Sequence, residues 1–174
     1  MSRPYETTSV AVPGGTVVVV VDPDDGAVVA SGFGGLDLTF SFLTAAEQQR
    51  GHVEVAPDSA SVRPAVEALN AYAAGDLDAL DSVAVRQPGG PFLDRAWVVM
   101  REVHAGHTDT YAGLAARAGS PSAVRAAGQA CARNKVAPFV PCHRILRTDG
   151  SLGGYAYGLP VKEALLVHEG ALLA

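Results

Sequence analysis

Cysteine is scarce in this 174-residue chain: there are two, Cys131 and Cys142, and none earlier. Two cysteines are too few for a disulfide framework at this length, so the fold must rest on an apolar core. His52 is the one histidine among residues 1–90, which leaves no Cys/His donor set there for a structural zinc site. No metal and no other cofactor is expected. Long apolar runs are also lacking. The valine run Val17–Val21 is far shorter than the roughly 20 residues that span a bilayer. The opening Met1-Ser2-Arg3-Pro4-Tyr5-Glu6 does not have the basic-then-apolar layout of a secretory signal. The reading is a soluble, cytoplasmic protein with no membrane partner.

Lysine is missing from residues 1–90, where four arginines face twelve carboxylates, a net of −8. Residues 91–174 carry nine Lys and Arg against six Asp and Glu, a net of +3. The whole chain is acidic at −5, which argues against nucleic acid as a partner. The change of sign between halves argues for a nucleic-acid-facing second half, or for nothing more than ordinary solvated surface. With 48% hydrophobic and 18% charged residues, disorder is excluded. The length suits one good-sized domain or two small ones sharing a core.

The first half opens with strand signals. Val10–Val12, Thr16–Val21 and Ala27–Ala30 are valine-rich and separated by Pro13-Gly14-Gly15 and Asp22-Pro23-Asp24-Asp25-Gly26, which is turn chemistry. A small antiparallel sheet follows. Leu36, Leu38, Phe40 and Phe42 alternate, which suggests another strand. Ser61 reads as the N-cap of a helix whose Val62, Val66, Leu69 and Tyr72 share one face, ended by Gly75. Gln87-Pro88-Gly89-Gly90-Pro91 reads as a linker. The expected class is α/β in the α+β sense. An N-terminal domain over 1–87 carries the sheet and a helix, and a mostly helical domain occupies 91–174.

In the second half, Phe92, Ala96, Val99, Met100 and Val103 form one apolar helical face, and Tyr111, Leu114, Ala115 and Ala118 a second. Ser120 and Pro121 mark the cap and first turn of a third helix, with Val124, Ala127, Gly128 and Cys131 inward. Two helices joined by a short Gly-containing turn fit a helix-turn-helix, and equally a helical hairpin inside a core. The third helix leaves Ser122, Arg125, Ala126, Gln129, Ala130 and Arg133 toward solvent. Small residues let a backbone approach a partner closely, and Arg can meet phosphates or enter a base stack. Cys131 and Trp97 read as core.

The sharpest motif is Pro138-Phe139-Val140-Pro141-Cys142-His143-Arg144-Ile145. A Cys beside His and Arg sits in a positive field that favours thiolate, the reactive form. Neighbours on a strand point to opposite faces, so a water bridge between Cys142 and His143 is more natural than a direct bond. Glu169, on a separate helix starting near Pro160, is placed to orient His143. The alternative is an inert buried thiol, the commonest fate of free Cys.

The segment resembles the O6-alkylguanine-DNA alkyltransferases, the methylated-DNA–protein-cysteine methyltransferases. The resemblance runs over about 91–170. It includes Thr110-Tyr111, Ser120-Pro121, Val124-Arg125-Ala126-Ala127-Gly128, Asn134, Pro141-Cys142-His143-Arg144, Gly153-Gly154-Tyr155, Lys162-Glu163-Ala164-Leu165-Leu166 and His168-Glu169-Gly170. It implies that Cys142 accepts an alkyl group from O6-alkylguanine in double-stranded DNA, once per molecule, after the base is flipped out. His143 would take the thiol proton through a water, Glu169 would orient His143, Asn134 would brace the turn, and Tyr111 would touch the flipped guanine. Arg125 would replace the extruded nucleotide, with Ser122, Ala126, Gln129 and Arg133 beside it in the minor groove. Tyr155, Ala156, Val140, Pro141 and Ile145 would line the pocket. O4-alkylthymine is a further candidate substrate, and the protein would act as a monomer without a cofactor. Ala156 stands where Ser is common, Lys135 where Pro is usual and His107 where Glu is common. Competing readings are an alkyltransferase-like lesion sensor, which would lack the acceptor Cys, a thiol hydrolase, and a helix-turn-helix regulator.

Overall fold

The computed structural model describes residues 1–174 and divides into two compact units. One comprises Met1–Arg86 with Lys135–Phe139, the other Gln87–Asn134 with Val140–Ala174. The chain thus leaves the first unit after Arg86 but returns to it for five residues. The sequence-based cut at 87–91 does not foresee that return, because it is a long-range strand-edge interaction rather than a local signal.

In the first unit, β1 (Tyr5–Val12), β2 (Gly15–Val21), β3 (Val28–Gly32) and β4 (His52–Glu54) form a sheet in the order β3-β2-β1-β4. Pro13 and Gly14 (φ 96°) make the two-residue turn that pairs Val12 with Gly15; Pro sets the first turn position and Gly the positive φ of the second. β1–β2 and β2–β3 are antiparallel, but β4 runs parallel to β1, so the sheet is mixed rather than purely antiparallel. β2 lies between two neighbours and is covered on both faces. Its valines from Val17 to Val21 are all buried, which explains an unbroken apolar run in place of alternation. The outer edge of β3 is closed by bridges from Val28 to Val85 and from Ser31 to Val136. The Ser31 hydroxyl also donates to the Ala137 carbonyl at 2.7 Å. An edge covered in this way offers no template for another chain.

Residues 36–42 are not a strand. Leu36–Ser41 is a short helix, α1, because Leu36 and Phe40 are also one helical turn apart. Both pack with Tyr5, Val20, Val29 and Leu43. α2 (Ala45–Arg50) begins with a capping box in which Thr44 and Glu47 bond each other's backbone. α3 (Arg63–Ala73) buries Val66, Leu69 and Tyr72, and Val62 just before it is buried as well. Ser61 is not its cap: the residue before the helix is Val62, and the Ser61 hydroxyl bonds Glu6 instead. Arg50 makes a two-point ion pair with Asp22 (2.9 and 2.7 Å) and Arg86 adds a third bond at 2.7 Å.

The second unit is helical. α4 (Pro91–Arg101) buries Ala96, Trp97, Val99 and Met100, and the Trp97 indole donates to the Ala130 carbonyl at 2.9 Å. β5 (Asp109–Thr110) pairs in parallel with β6 (Ile145–Leu146). α5 (Tyr111–Arg117) starts at Thr110, whose hydroxyl accepts from the Gly113 N–H. α6 (Val124–Ala132) starts three residues later than Ser120-Pro121 suggests. Those two residues form the turn before it, with the Ala123 N–H donating to the Ser120 carbonyl. α7 (Leu159–His168) closes the unit with Glu169 as its C-cap. No helix is long and apolar enough to cross a membrane.

Candidate active site

Cys142, His143 and Arg144 form a single 3-10 turn leading into β6, not part of a strand. The turn follows from Pro141, after which the Arg144 N–H donates to the Pro141 carbonyl. All three side chains are buried. His143 Nε2 lies 2.7 and 2.9 Å from the two Glu169 oxygens. Burial lowers the imidazole pKa, and the Glu169 carboxylate only partly opposes this. The ring is therefore neutral near pH 7, with its single proton on Nε2 donating to Glu169. Nδ1 keeps its lone pair, is buried, and makes no hydrogen bond to the protein.

Arg144 does not supply a field to the thiol in the way the adjacent sequence suggests. Its Nε donates to both Glu169 oxygens (2.9 and 3.1 Å) and its Nη1 to the Val103 carbonyl at 2.7 Å. Burial would raise the Glu169 pKa, but the bonds from His143 and Arg144 outweigh it and hold it at about 2. Glu169 is thus a permanent carboxylate held by two donors.

Burial pushes the Cys142 thiol up, while a bond to Asn134 and the charge of Lys162 pull it back. Asn134 is itself fixed: its Nδ2 donates to the Val140 carbonyl at 2.7 Å, and Gln87 donates to its Oδ1 at 2.9 Å. Cys142 opens into a cavity of about 290 Å³ lined by Tyr111, Gly128, Cys131, Ala132, Asn134 and residues Gly154 to Tyr157. The wall is mostly apolar surface with three tyrosines; Tyr155 and Tyr157 meet edge to face with centroids 5.6 Å apart. Gly153, at φ 72°, lies where a Cβ would sit 3.0 Å from the Tyr111 hydroxyl and 3.4 Å from Arg147 Cγ. Tyr111 can stand against this loop because position 153 has no side chain.

The structure therefore brings Cys142, Asn134, Tyr111, Tyr155 and Ala156 to one cavity; His143 and Glu169 are paired with each other in the buried packing and do not line it. It does not bring Val140, Pro141 or Ile145 to the lining; these are buried in the packing around the turn. Cys131 is not simply core: it faces the cavity from α6, and its thiol is pushed well up by burial. On the other side of α6, Arg125, Gln129 and Arg133 are exposed, Ser122 is exposed ahead of the helix, and Ala126 is half-buried. Ala130 does not belong to that face, being wholly buried where its carbonyl meets Trp97. Sequence reasoning missed Gly128, Cys131, Ala132, Gly154 and Tyr157 as lining, and gave Lys162 no role of its own. Tyr157 could have been found from its i+2 spacing to Tyr155; nothing local marks Lys162.

A family profile described as the DNA-binding domain of 6-O-methylguanine DNA methyltransferase matches residues 91–171. The chain is 43% identical over 109 residues to a methylated-DNA–protein-cysteine methyltransferase of Methanosarcina acetivorans, covering 63% of this chain and 69% of that protein. It is 42% identical over 102 residues to one from Salmonella typhimurium, covering 59% and 60%. The crystal structure of Mycobacterium tuberculosis O6-methylguanine methyltransferase superposes with a TM-score of 0.74 at 28% identity, over 98% of this chain and 94% of that one. A structure of M. tuberculosis OGT in complex with DNA gives 0.75 at 27% identity, over 96% and 92%.

Proposed function

The chain belongs to the methylated-DNA–protein-cysteine methyltransferase family, and from that membership we propose that it repairs DNA by direct reversal, moving the alkyl group of O6-alkylguanine onto its own Cys142. The observation that carries this reading is the buried relay next to the thiol in sequence: Glu169 holds the Nε2–H of His143 and leaves Nδ1 without a protein partner, while Cys142 opens into a cavity of about 290 Å³.

Guanine O6 faces the major groove, out of reach of a buried thiol in a protein docked on the minor groove, so the base is flipped into the cavity lined by Tyr111, Tyr155, Ala156 and Tyr157. His143 takes the Cys142 proton through a water, and Glu169 stabilises the imidazolium that results. The sulfur then attacks the alkyl carbon. The S–C bond forms as the C–O6 bond breaks, and the electron pair leaves with guanine, which takes up a proton. Asn134 holds the thiol and its turn together from the Val140 side. The lesion itself carries the group transferred, so no cofactor enters, and a thioether has no route back to thiol. Each molecule therefore acts once. O4-alkylthymine presents the same kind of alkyl–oxygen bond and is the second substrate to try.

DNA is held by the second unit, with α6 in the minor groove and the protein acting as a monomer. The exposed Arg125 fills the gap left by the flipped base, and Ser122, Gln129 and Arg133 flank it. Half-buried Ala126 lets the helix backbone come near. The first domain, residues 1–87, stays off the phosphates, which its excess of carboxylates repels.

Intact-mass spectrometry after mixing with duplex DNA bearing one O6-methylguanine tests the reading. The expected result is a gain of one methylene's mass per molecule, mapped to Cys142 and absent in Cys142→Ser. Tight binding without mass gain would replace a repair enzyme by a lesion sensor, and repeated turnover would replace it by a hydrolase.

A further inference from the structure

Lys162 is wholly buried and sits in the first turn of α7, where the helix dipole disfavours a cation. It makes no ion pair. Its Nζ instead donates to three carbonyls: Ile145 at 2.8 Å, Leu152, and Gly154 at 3.3 Å. Three donors on one nitrogen exist only in the ammonium form. Burying such a charge costs stability, and an apolar side chain of equal length would pack there at lower cost. The placement of the three acceptors shows what the charge does. Ile145 is three residues past Cys142, and Leu152 and Gly154 start the loop whose Gly154–Tyr157 stretch walls the cavity.

We propose that Lys162 is a positioning residue for alkyl transfer: its ammonium ties the cavity loop at Leu152 and Gly154 to the strand leaving Cys142, and its charge holds the Cys142 thiolate as it forms. The proposal rests on Cys142 being the acceptor. The groups facing the thiol are few. Asn134 donates from the end of α6, His143 adjoins it, and Cys131 of α6, Tyr111 of α5 and Tyr157 of the loop surround it as neutral acids. Arg144 and Glu169 are occupied with each other. Arg147 acts on Tyr111 and Lys162. Lys162, bonded to the Ile145 carbonyl three residues past Cys142, is the cation whose charge opposes the effect of burial on the thiol. Cys131 feels the same charge but lacks the Asn134 bond and the adjacent His143.

The test uses full-length Lys162→Met and Lys162→Arg. In DNA-free protein, the pH dependence of Cys142 carboxamidomethylation by iodoacetamide is read by peptide mapping, which separates it from Cys131. Lys162→Met should move the inflection up by about one pH unit, which makes Cys142 about tenfold slower below it. Methyl transfer from O6-methylguanine duplex should fall by at least the same factor. Lys162→Arg keeps the charge but replaces a three-way donor by a flat fork. Its inflection should stay near wild type, while the duplex concentration giving half-maximal transfer rate rises severalfold. A folded Lys162→Met with both the inflection and the transfer rate within twofold of wild type overturns the proposal. Should Lys162→Met not fold, Lys162→Arg decides: an unchanged half-maximal concentration overturns the proposal and a rise supports it. Wild-type protein that gains no methyl would instead refute the acceptor reading, and the iodoacetamide profiles would still report whether Lys162 acts on the thiol.

Discussion

Glu169→Gln is the most exacting perturbation of the relay, because it keeps the shape and removes one charge. Arg144 donates from Nε to both carboxylate oxygens, and His143 donates to the same pair. An amide offers one oxygen and one NH₂. The guanidinium is always charged and has donors only, so the amide oxygen must turn to Arg144 and the NH₂ to His143. Nε2 then has to accept, which moves the imidazole proton to Nδ1 and takes away the lone pair that the proposed proton transfer uses. Enforcing the wrong tautomer in this way costs on the order of 10⁴ in rate where a carboxylate orients a catalytic His. The buried Arg144 also loses its counter-charge, and breaking a buried pair costs about 3–5 kcal/mol. For a chain of this size that is a fall in Tm of ~6–20 °C. The assay is a single-turnover time course of methyl gain by intact mass, on protein verified as folded at the assay temperature, beside a thermal melt. A variant that melts early but transfers methyl within threefold of wild type would show that Glu169 is a structural ion-pair partner and that His143 is not the base.

Three further outcomes follow from the same geometry. Gly153→Ala should lose about 1–3 kcal/mol from its φ of 72° and displace Tyr111. Transfer should slow more than the melt alone accounts for, as a time course at low temperature would show. Arg125→Ala, on an exposed helix position, should leave stability within about 0.5 kcal/mol while transfer from duplex DNA slows at least tenfold, read by denaturant melts and the mass assay together. Acid should destabilise the protein in two stages. His143 has a lowered folded-state pKa, so the unfolded chain binds its proton first and stability falls as pH drops below the ordinary histidine value. Glu169, held at about 2, adds a loss as pH falls from the ordinary carboxylate range toward that value. Asp22, held far below its usual range by Arg50, adds to it. Urea midpoints from pH 7 to pH 3 should decline throughout, and a flat profile would contradict the burial of these groups.

What the sequence made legible was local. The valine runs and Pro-Gly turn place β1 to β3, the 3.6-residue spacing of Val62, Val66, Leu69 and Tyr72 places α3, and the Pro-Cys-His-Arg segment marks the thiol. Where two periods fit the same residues, the reading went astray. Leu36 and Phe40 satisfy alternation and a helical turn alike, and packing against Tyr5 and Val29 decides for the helix. Ser120-Pro121 has the chemistry of a helix start, yet the chain spends three more residues turning before α6. Long-range pairing left no local trace. Lys135–Phe139 joins the edge of β3 through backbone bonds that any sequence can make. Lys162 sits in a helix where a lone Lys would ordinarily face water.

The charges of the second unit make one argument together. Adjacent in sequence, His143 and Arg144 look like the activators of Cys142, but both point to Glu169, and that cluster is internally balanced. The thiol is left with burial, which keeps it protonated at rest, and with Asn134 and Lys162, which oppose burial. For an acceptor spent in a single transfer, as proposed for Cys142, a resting thiolate would be lost to any passing electrophile. A thiol held up by burial reacts only when proton removal through His143 coincides with an alkyl carbon seated in the cavity. The same burial that slows Cys142 toward free reagents makes a fixed ammonium effective once negative charge forms on sulfur, because little water is there to screen it. Restraint and activation thus have the same physical source, and the bonds from Lys162 to Ile145, Leu152 and Gly154 link that source to the shape of the cavity.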